Sequence, residues 1–163
     1  MTVTVTPVAD APVSAASGNL PTLAAVAEDA TNPAGATVAS LLSGKFSDVD
    51  GNTLAGVAVS ANTIDATKGE WQYSADGGAS WSALGSVPTS SALLLNSSAL
   101  LRFLPAANWN GTPGTLTLQA IDNSGSPGRT YTTAGSVKTI NAGTPATDLD
   151  PTGTSLSTSV TPV

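Results

Sequence analysis

Short apolar segments with strand-like alternation are the feature that most constrains this chain. Residues 54–61, 100–104 and 116–121 are each rich in apolar or β-branched side chains and are bordered by glycine, proline, asparagine or aspartate. Such runs are too short for core helices and are typical of strands. About nine or ten segments of this kind recur at roughly 10–15 residue spacing, which predicts a β-sandwich.

Helical periodicity is almost missing from the sequence. The best helix candidate, residues 37–42, is at most one or two turns long and could be another strand. Val3, Val5 and Val8 follow a two-residue alternation interrupted by Pro7. We therefore predict an all-β fold with little helix.

The residue inventory excludes several classes of function. The 163 residues contain no cysteine and no histidine, so disulfides, zinc–thiolate sites and the usual general base are missing. Five basic residues against 11 acidic ones give a net charge of -6, which provides no basic surface for nucleic acid. No apolar run approaches the ~18 residues of a membrane span. We expect neither nucleic-acid binding nor membrane insertion.

An enzymatic function would have to depend on paired carboxylates, because no other acid–base groups remain. Glu70 and Asp76 form the only plausible pair, and Asp76 already belongs to a turn motif described below. The glycines match neither phosphate-binding loop pattern. We therefore predict that the protein is not an enzyme.

A four-residue sequence occurs near both ends of the chain. Residues 5–8 read VTPV, and the same letters return at residues 160–163, 155 positions later. The match could be chance, or it could mark one unit of a tandem array. On the second interpretation, residues 1–12 are the last strand of a preceding repeat or a linker, and residues 13–163 form a single module.

Residues 74–81 match the Asp-box pattern S-x-D-x-G-x-x-W at every defined position. The pattern predicts a hairpin in which Asp76 accepts backbone N–H bonds, the glycines adopt positive φ, and Trp81 is buried. Trp109, in a loop, is expected to be partly exposed. Trp71 and Tyr73 lie two residues apart on the preceding strand and should share a face. They either pack in the core or contribute to a ligand-binding surface.

Acidic residues are concentrated in candidate loops. Asp48, Asp50 and Asn52 place three oxygen-bearing side chains at alternate positions before a predicted strand. Calcium takes six to eight oxygen ligands and suits flexible loops, so this spacing favours a calcium site. An EF-hand does not fit, because Gly51 falls at the fourth loop position instead of the sixth. The alternative is that these residues only form turns.

Several stretches resemble the cadherin-like repeats of giant bacterial adhesins, including those of the RTX class. They are PVADAPV at residue 7, the segment 27–61, GEWQYSADGGASWSALG at residue 69, residues 101–122 and the closing STSVTPV. The resemblance implies an immunoglobulin- or cadherin-like β-sandwich with calcium at domain ends and interfaces. It implies metal-binding roles for Glu28, for Asp48 and Asp50, and for Asp122.

A narrower resemblance is to the peptide-binding domains of these adhesins, in which calcium helps to hold the C-terminal carboxylate of a target peptide. We expect an extracellular module on a bacterial cell surface, next to other repeats of its own chain. Its ligand would be a peptide C-terminus or a glycan on another cell. The alternatives are a structural extender stiffened by calcium and an accessory or catalytic module of a carbohydrate-active enzyme.

Overall fold

The computed structural model describes residues 1, 3–6, 8–15, 19–125 and 128–163, and β-strands dominate it. In chain order the strands are β1 Val13–Ser14, β2 Val26–Ala27, β3 Ala36–Thr37, β4 Phe46–Ser47, β5 Leu54–Asn62, β6 Gly69–Ser74, β7 Ser82–Ala83, β8 Ala92–Asn96, β9 Leu100–Pro105, β10 Leu116–Asp122, β11 Thr139–Ile140, β12 Thr154–Leu156 and β13 Val160–Thr161. The prediction of an all-β fold is confirmed.

Helix is confined to short pieces of the described chain. The helix α1 spans Val38–Leu41, and a 3₁₀ turn spans Thr89–Ser91. The side chain of Thr37 caps α1 by accepting a hydrogen bond from the Ser40 N–H at 3.1 Å. This one-turn helix lies where the sequence offered its best helix candidate. No helix in the described ranges has the length and apolar character needed to cross a membrane.

Two sheets contain the long strands. The five-stranded sheet has the order β11-β8-β5-β10-β12, and the four-stranded sheet has the order β3-β9-β6-β7, with antiparallel pairing throughout both. The pairs β1-β4 and β13-β2 are separate two-stranded sheets, and β13-β2 is parallel.

Side chains from both large sheets share one core. Val57, Leu95 and Leu118 of the five-stranded sheet belong to the same buried cluster as Leu101 and Phe103 of the four-stranded sheet. Such a cluster is the main source of stability in an all-β domain, since each fully buried aliphatic side chain contributes about 1.5–3 kcal/mol. A smaller cluster around Ile121 and Leu149 packs beneath the C-terminal third of the chain.

The strand directions place the loops at two opposite ends. Asp122 pairs with Leu54, while Leu116 pairs with Asn62, so the loop 48–52 and the end of β10 lie at the same end of the sheet. We call this the Asp48 end. The loop 106–111 joins the far ends of β9 and β10 and lies at the opposite end.

The two copies of the repeated sequence differ in structure. Val160 pairs with Val26 in the β13-β2 sheet and is only 3% exposed. Val5 is 84% exposed, and residues 3–6 and 8 form no strand. The strand that the sequence pattern suggests at the N-terminus is therefore not formed in the described residues, because no neighbouring strand lies beside it. Pro7 is outside the described residues.

Candidate functional site

The loop 48–52 is organised by the carboxylate of Asp48. Its Oδ1 accepts hydrogen bonds from the backbone N–H groups of Asp50 at 2.9 Å and Asn52 at 3.1 Å. Its Oδ2 is buried and accepts no hydrogen bond. Gly51 has φ 77°, a conformation that glycine adopts without strain. The fold therefore holds one carboxylate oxygen of this loop in a buried position without a partner.

Asp50 connects this loop to the N-terminal segment. Its Oδ2 accepts a hydrogen bond from the backbone N–H of Asp10 at 2.8 Å. Asp50 itself is exposed, as is Asp10. The Asp48 end thus brings Asp10 to a loop that is 40 residues away in sequence, and Asp10 contributes its backbone to the contact.

Asp122 lies at the same end of the sheet, on the last residue of β10. Asn123, its neighbour, accepts a hydrogen bond from the Thr53 N–H at 2.8 Å and thereby joins this strand end to the loop 48–52. Asp122 is 3% exposed, and its Oδ1 accepts from the Ser124 N–H at 2.7 Å. Its Oδ2 is buried without a hydrogen bond, like that of Asp48.

The other buried acids of this region are already satisfied. Asp148 forms a two-bond ion pair with Arg129. Asp150 accepts hydrogen bonds from the backbone and hydroxyl groups of both Ser14 and Thr152. Burial alone would raise the pKa of Asp150, but these hydrogen bonds outweigh it, and the net effect lowers the pKa. Both carboxylates therefore have structural roles.

Glu28 lies at the opposite end of the molecule. Its carboxylate accepts hydrogen bonds from the Val163 N–H at 3.0 Å and from the Asn110 side chain at 2.8 Å. The hydrogen bond from Val163 is the main cause of a lowered Glu28 pKa. Asp29, beside it, accepts from the Asn108 N–H at 2.7 Å. The five predicted metal ligands therefore belong to two ends, with Glu28 apart from the other four.

The oxygen atoms at the Asp48 end meet some of the requirements of a calcium site. Calcium prefers carboxylate, amide and carbonyl oxygens, and two buried carboxylate oxygens there have no other partner. Among the described residues, however, no three acidic side chains form a metal-binding group. A calcium ion held by Asp48 or Asp122 would have to complete its shell with the Asn52 amide, backbone carbonyls or water.

The predicted ligand-binding aromatics, Trp71 and Tyr73, lie in the main core cluster. Trp71 is 2% exposed, packs edge-to-face on Phe103 and donates from Nε1 to the Gly114 carbonyl at 2.8 Å. Tyr73 is 9% exposed and borders an open cleft with Ser80 and Thr133. Most of both rings is therefore committed to packing, and ligand contact by either ring stays a prediction.

The Asp-box forms the expected hairpin between β6 and β7. Asp76 accepts from the Ser80 N–H at 2.9 Å and from the hydroxyl groups of Ser74 and Ser80. Gly77 and Gly78 have φ of 72° and 93°. These hydrogen bonds, that of the Ser80 hydroxyl first, lower the pKa of Asp76 to about 2. The expectation that Trp81 is a buried plug is wrong, since Trp81 is only partly buried.

Trp81 instead covers a buried arginine, Arg102, which no sequence motif singled out. The guanidinium carbon of Arg102 lies 3.9 Å from the centre of the indole ring. Arg102 is 6% exposed and donates to the Gln72 side chain and the Asn32 side chain at 2.8 and 2.7 Å. One signal was available: Arg102 is the only charged residue within the apolar segment 100–104.

Comparison with known proteins does not identify the chain: no protein-family model, no curated protein and no solved structure matches it. The adhesin resemblance therefore remains a hypothesis based on the sequence motifs alone.

Proposed function

We propose that this protein is a calcium-stabilised, ligand-binding β-sandwich module of a bacterial cell-surface adhesin. Support for a sandwich comes from the two large sheets, whose side chains share one buried cluster. The proposal assigns no catalytic role to these residues.

The observation that carries the calcium proposal is the pair of orphaned carboxylate oxygens at the Asp48 end. Oδ2 of Asp48 and Oδ2 of Asp122 are both buried without a hydrogen bond. Leaving an ionised oxygen buried and unpaired is unfavourable by several kcal/mol, and a bound cation removes that penalty. Asp48, Asp122 and Asn52 would hold the ion, with Asp50 at the exposed rim. Bound calcium would neutralise these carboxylates and fix the loop 48–52 against β10.

At the other end, Glu28 and Asp29 would contribute to a separate site. They already bind the backbone or side chains of Val163, Asn108 and Asn110. A cation there would attach the end of β13 more firmly to the loop 106–111. Acidic loops at both ends agree with a module that contacts neighbouring repeats of its own chain.

A second candidate function, a structural extender without a ligand, is favoured by the repeated VTPV sequence. Val160 is buried in the β13-β2 pair, whereas Val5 of the other copy is exposed. The N-terminal copy would then serve as the β13 strand of an adjacent unit. An extender would resemble a binding module in its calcium response and differ from it in having no ligand.

The calcium proposal is tested by thermal unfolding in millimolar calcium and in excess chelator. For a site with a Kd of ~10 μM, 1 mM calcium adds roughly 2.7 kcal/mol to the free energy of unfolding. We expect a clear rise in the melting temperature with calcium. Magnesium at the same concentration is the control for ionic strength, and it should have a smaller effect because it demands strict octahedral geometry. Identical melting curves in all three conditions would refute the calcium proposal.

A further inference from the structure

The two edge strands β2 and β3 face the same cleft without pairing with each other. β2 is hydrogen-bonded to β13 on one side, and β3 is the outer strand of the four-stranded sheet. The cleft has a volume of about 320 Å³ and is lined by the segments 23–27 and 33–36. Each strand therefore has one edge that takes no strand partner among the described residues.

The lining of the cleft is small and apolar. Alanines predominate in both segments, and Ala24, Ala25, Ala27 and Ala34 are exposed. Small side chains leave the backbone accessible, which is the arrangement that suits addition of an extended strand. Exposed strand edges with N–H and C=O groups available are the usual templates for such pairing.

One charged residue, Arg102, lies in the wall of this cleft. Its Nε donates to Gln72, and its Nη1 donates to Asn32 and to the Pro33 carbonyl at 3.1 Å. Its Nη2 donates to no group in the described residues. The described residues contain two ion pairs, Lys68 with Asp65 and Arg129 with Asp148. Neither involves Arg102, so no described carboxylate forms an ion pair with it.

The guanidinium is held rigidly, which distinguishes it from a solvated surface arginine. Trp81 covers one face of the guanidinium. Gly35 packs closely beside Trp81: a Cβ added at Gly35 would lie 2.9 Å from the Trp81 ring and 2.7 Å from the Leu101 carbonyl oxygen. Glu70 acts on the Arg102 charge electrostatically without forming an ion pair with it, and Gln72 links the two by donating to the Glu70 carboxylate. A fixed, partly desolvated cation without a carboxylate partner is the usual device for recognising an anionic group.

We propose that the cleft between β2 and β3 binds an extended peptide segment of a partner protein, and that an internal aspartate or glutamate of that segment pairs with Arg102. The backbone of the segment would pair with the free edges of β2 and β3, and its small or β-branched side chains would lie over the alanines. The inference rests on the proposed ligand-binding role and names its surface and ligand class. An internal acid is favoured over a chain terminus because a segment that pairs with both edges must pass between them.

The test uses a capped pentapeptide, acetyl-Thr-Val-Asp-Val-Thr-amide, titrated into the isotope-labelled protein and followed by amide chemical shifts. We expect shifts at Ala25, Ala27 and Gly35. The matched peptide with asparagine in place of aspartate should bind roughly 10- to 100-fold more weakly, as expected for loss of a charge-assisted hydrogen bond. A third peptide, with asparagine and a free C-terminal carboxylate, distinguishes the chain terminus as the source of the anion.

Two exposed variants make the test independent of the buried arginine, whose replacement could unfold the protein. Ala34→Glu adds a carboxylate at the cleft and should abolish binding of the aspartate peptide. Ala39→Glu, on the exposed side of α1, adds the same charge outside the cleft and should bind normally. Both variants are checked for a folded amide spectrum before titration.

Equal binding of the aspartate and asparagine peptides would overturn the proposal, as would shifts outside the cleft or none at millimolar peptide. Equal binding of the free-acid peptide would overturn the choice of an internal acid. The titrations are run in calcium and in chelator, well below both melting temperatures. Peptide binding that persists in chelator, with no calcium effect on melting, would refute the calcium proposal while supporting the cleft. A calcium effect on melting without peptide binding would support the calcium proposal and overturn the cleft proposal.

Discussion

The guanidinium of Arg102 lies 3.9 Å from the ring centre of Trp81, so the tryptophan of the Asp-box covers a buried cation and not an apolar core. The hairpin that carries Trp81 is held by its own serine and aspartate side chains. The motif therefore fixes the position of the aromatic ring that lies over Arg102. Its structural role in this protein is to hold a charge in place.

Trp71→Ala should destabilise the protein more than Trp81→Ala. Trp71 is 2% exposed in the core and loses a hydrogen bond as well, and truncation of such a residue typically costs about 3–5 kcal/mol. Trp81 is partly exposed, and its contact with Arg102 is worth about 0.5–2 kcal/mol. Urea unfolding followed by far-UV circular dichroism measures both. Trp109→Ala, which removes an edge-to-face contact with Phe103, is the control and should fall between them. Equal midpoints for Trp71→Ala and Trp81→Ala would contradict this order.

Asp122→Asn should have opposite effects with and without calcium. In chelator the variant should be as stable as the original or more so, because it removes the charge of a buried carboxylate whose Oδ2 has no hydrogen-bond partner. In calcium it should lose most of the stabilisation, because a neutral amide is a poorer ligand. Thermal melting in the two conditions gives both numbers. Asp65→Asn, at a partly exposed ion pair with Lys68, should leave the calcium response intact. A full calcium response in Asp122→Asn would remove Asp122 from the site.

Acid should lower the free energy of unfolding, in part by protonating Asp76. Its pKa is lowered from 3.8 to about 2, with the Ser80 hydroxyl as the largest cause. Since the folded-state pKa lies below the unfolded value, ionised Asp76 stabilises the fold above pH 3.8. This contribution is lost as the pH falls through about 2. As the pH is lowered from 5 to 2, the denaturant midpoint should therefore fall less steeply for Asp76→Asn than for the unmodified protein.

The cause of this shift can be examined directly. Ser80→Ala removes the hydroxyl but keeps the backbone N–H bond, so it should raise the Asp76 pKa toward 3.8. Nuclear magnetic resonance titration of the Asp76 side-chain carboxyl carbon measures the change. An unaltered pKa in Ser80→Ala would show that the hydroxyl is not the cause.

Gly35→Ala should be more destabilising than Gly77→Ala. Both glycines have similar positive φ, 76° and 72°, so both substitutions incur the left-handed strain of roughly 1–2 kcal/mol. At Gly77 the new methyl group meets nothing within 4 Å, whereas at Gly35 it meets the Leu101 carbonyl oxygen at 2.7 Å. We expect about 1–3 kcal/mol more at Gly35, the usual range for overpacking. Chemical denaturation compares the two, and equal losses would mean that the contacts around Gly35 relax freely.

The long strands could be predicted from the sequence because their pattern is local. Residues 54–61, 100–104 and 116–121 fall within β5, β9 and β10. Two-residue strands such as β1 and β4 could not be predicted, since their pairing depends on partners far away in the chain. The N-terminal valines show the converse: Val3 and Val5 have the alternation of a strand but are exposed and form no strand in the described part of the chain.

The candidate site was predictable only in its residue types. The loop 48–52 and Asp122 lie at one end because β5 and β10 pair in antiparallel register, a relationship that no local pattern contains. The separation of Glu28 from them follows from the same topology. The role of Arg102 was hidden because a single charge inside an apolar segment does not reveal which face it occupies or what covers it.

The parallel pairing of β13 with β2 has a mechanical consequence. The N–H groups of Leu23, Val26 and Glu28 bond in sequence to the carbonyl groups of residues 157, 159 and 161. A pull on Val163 along its strand, resisted at the Asp48 end, loads these hydrogen bonds together in shear. A pull across the strand would instead open them one at a time. The geometry therefore resists tensile force applied along β13.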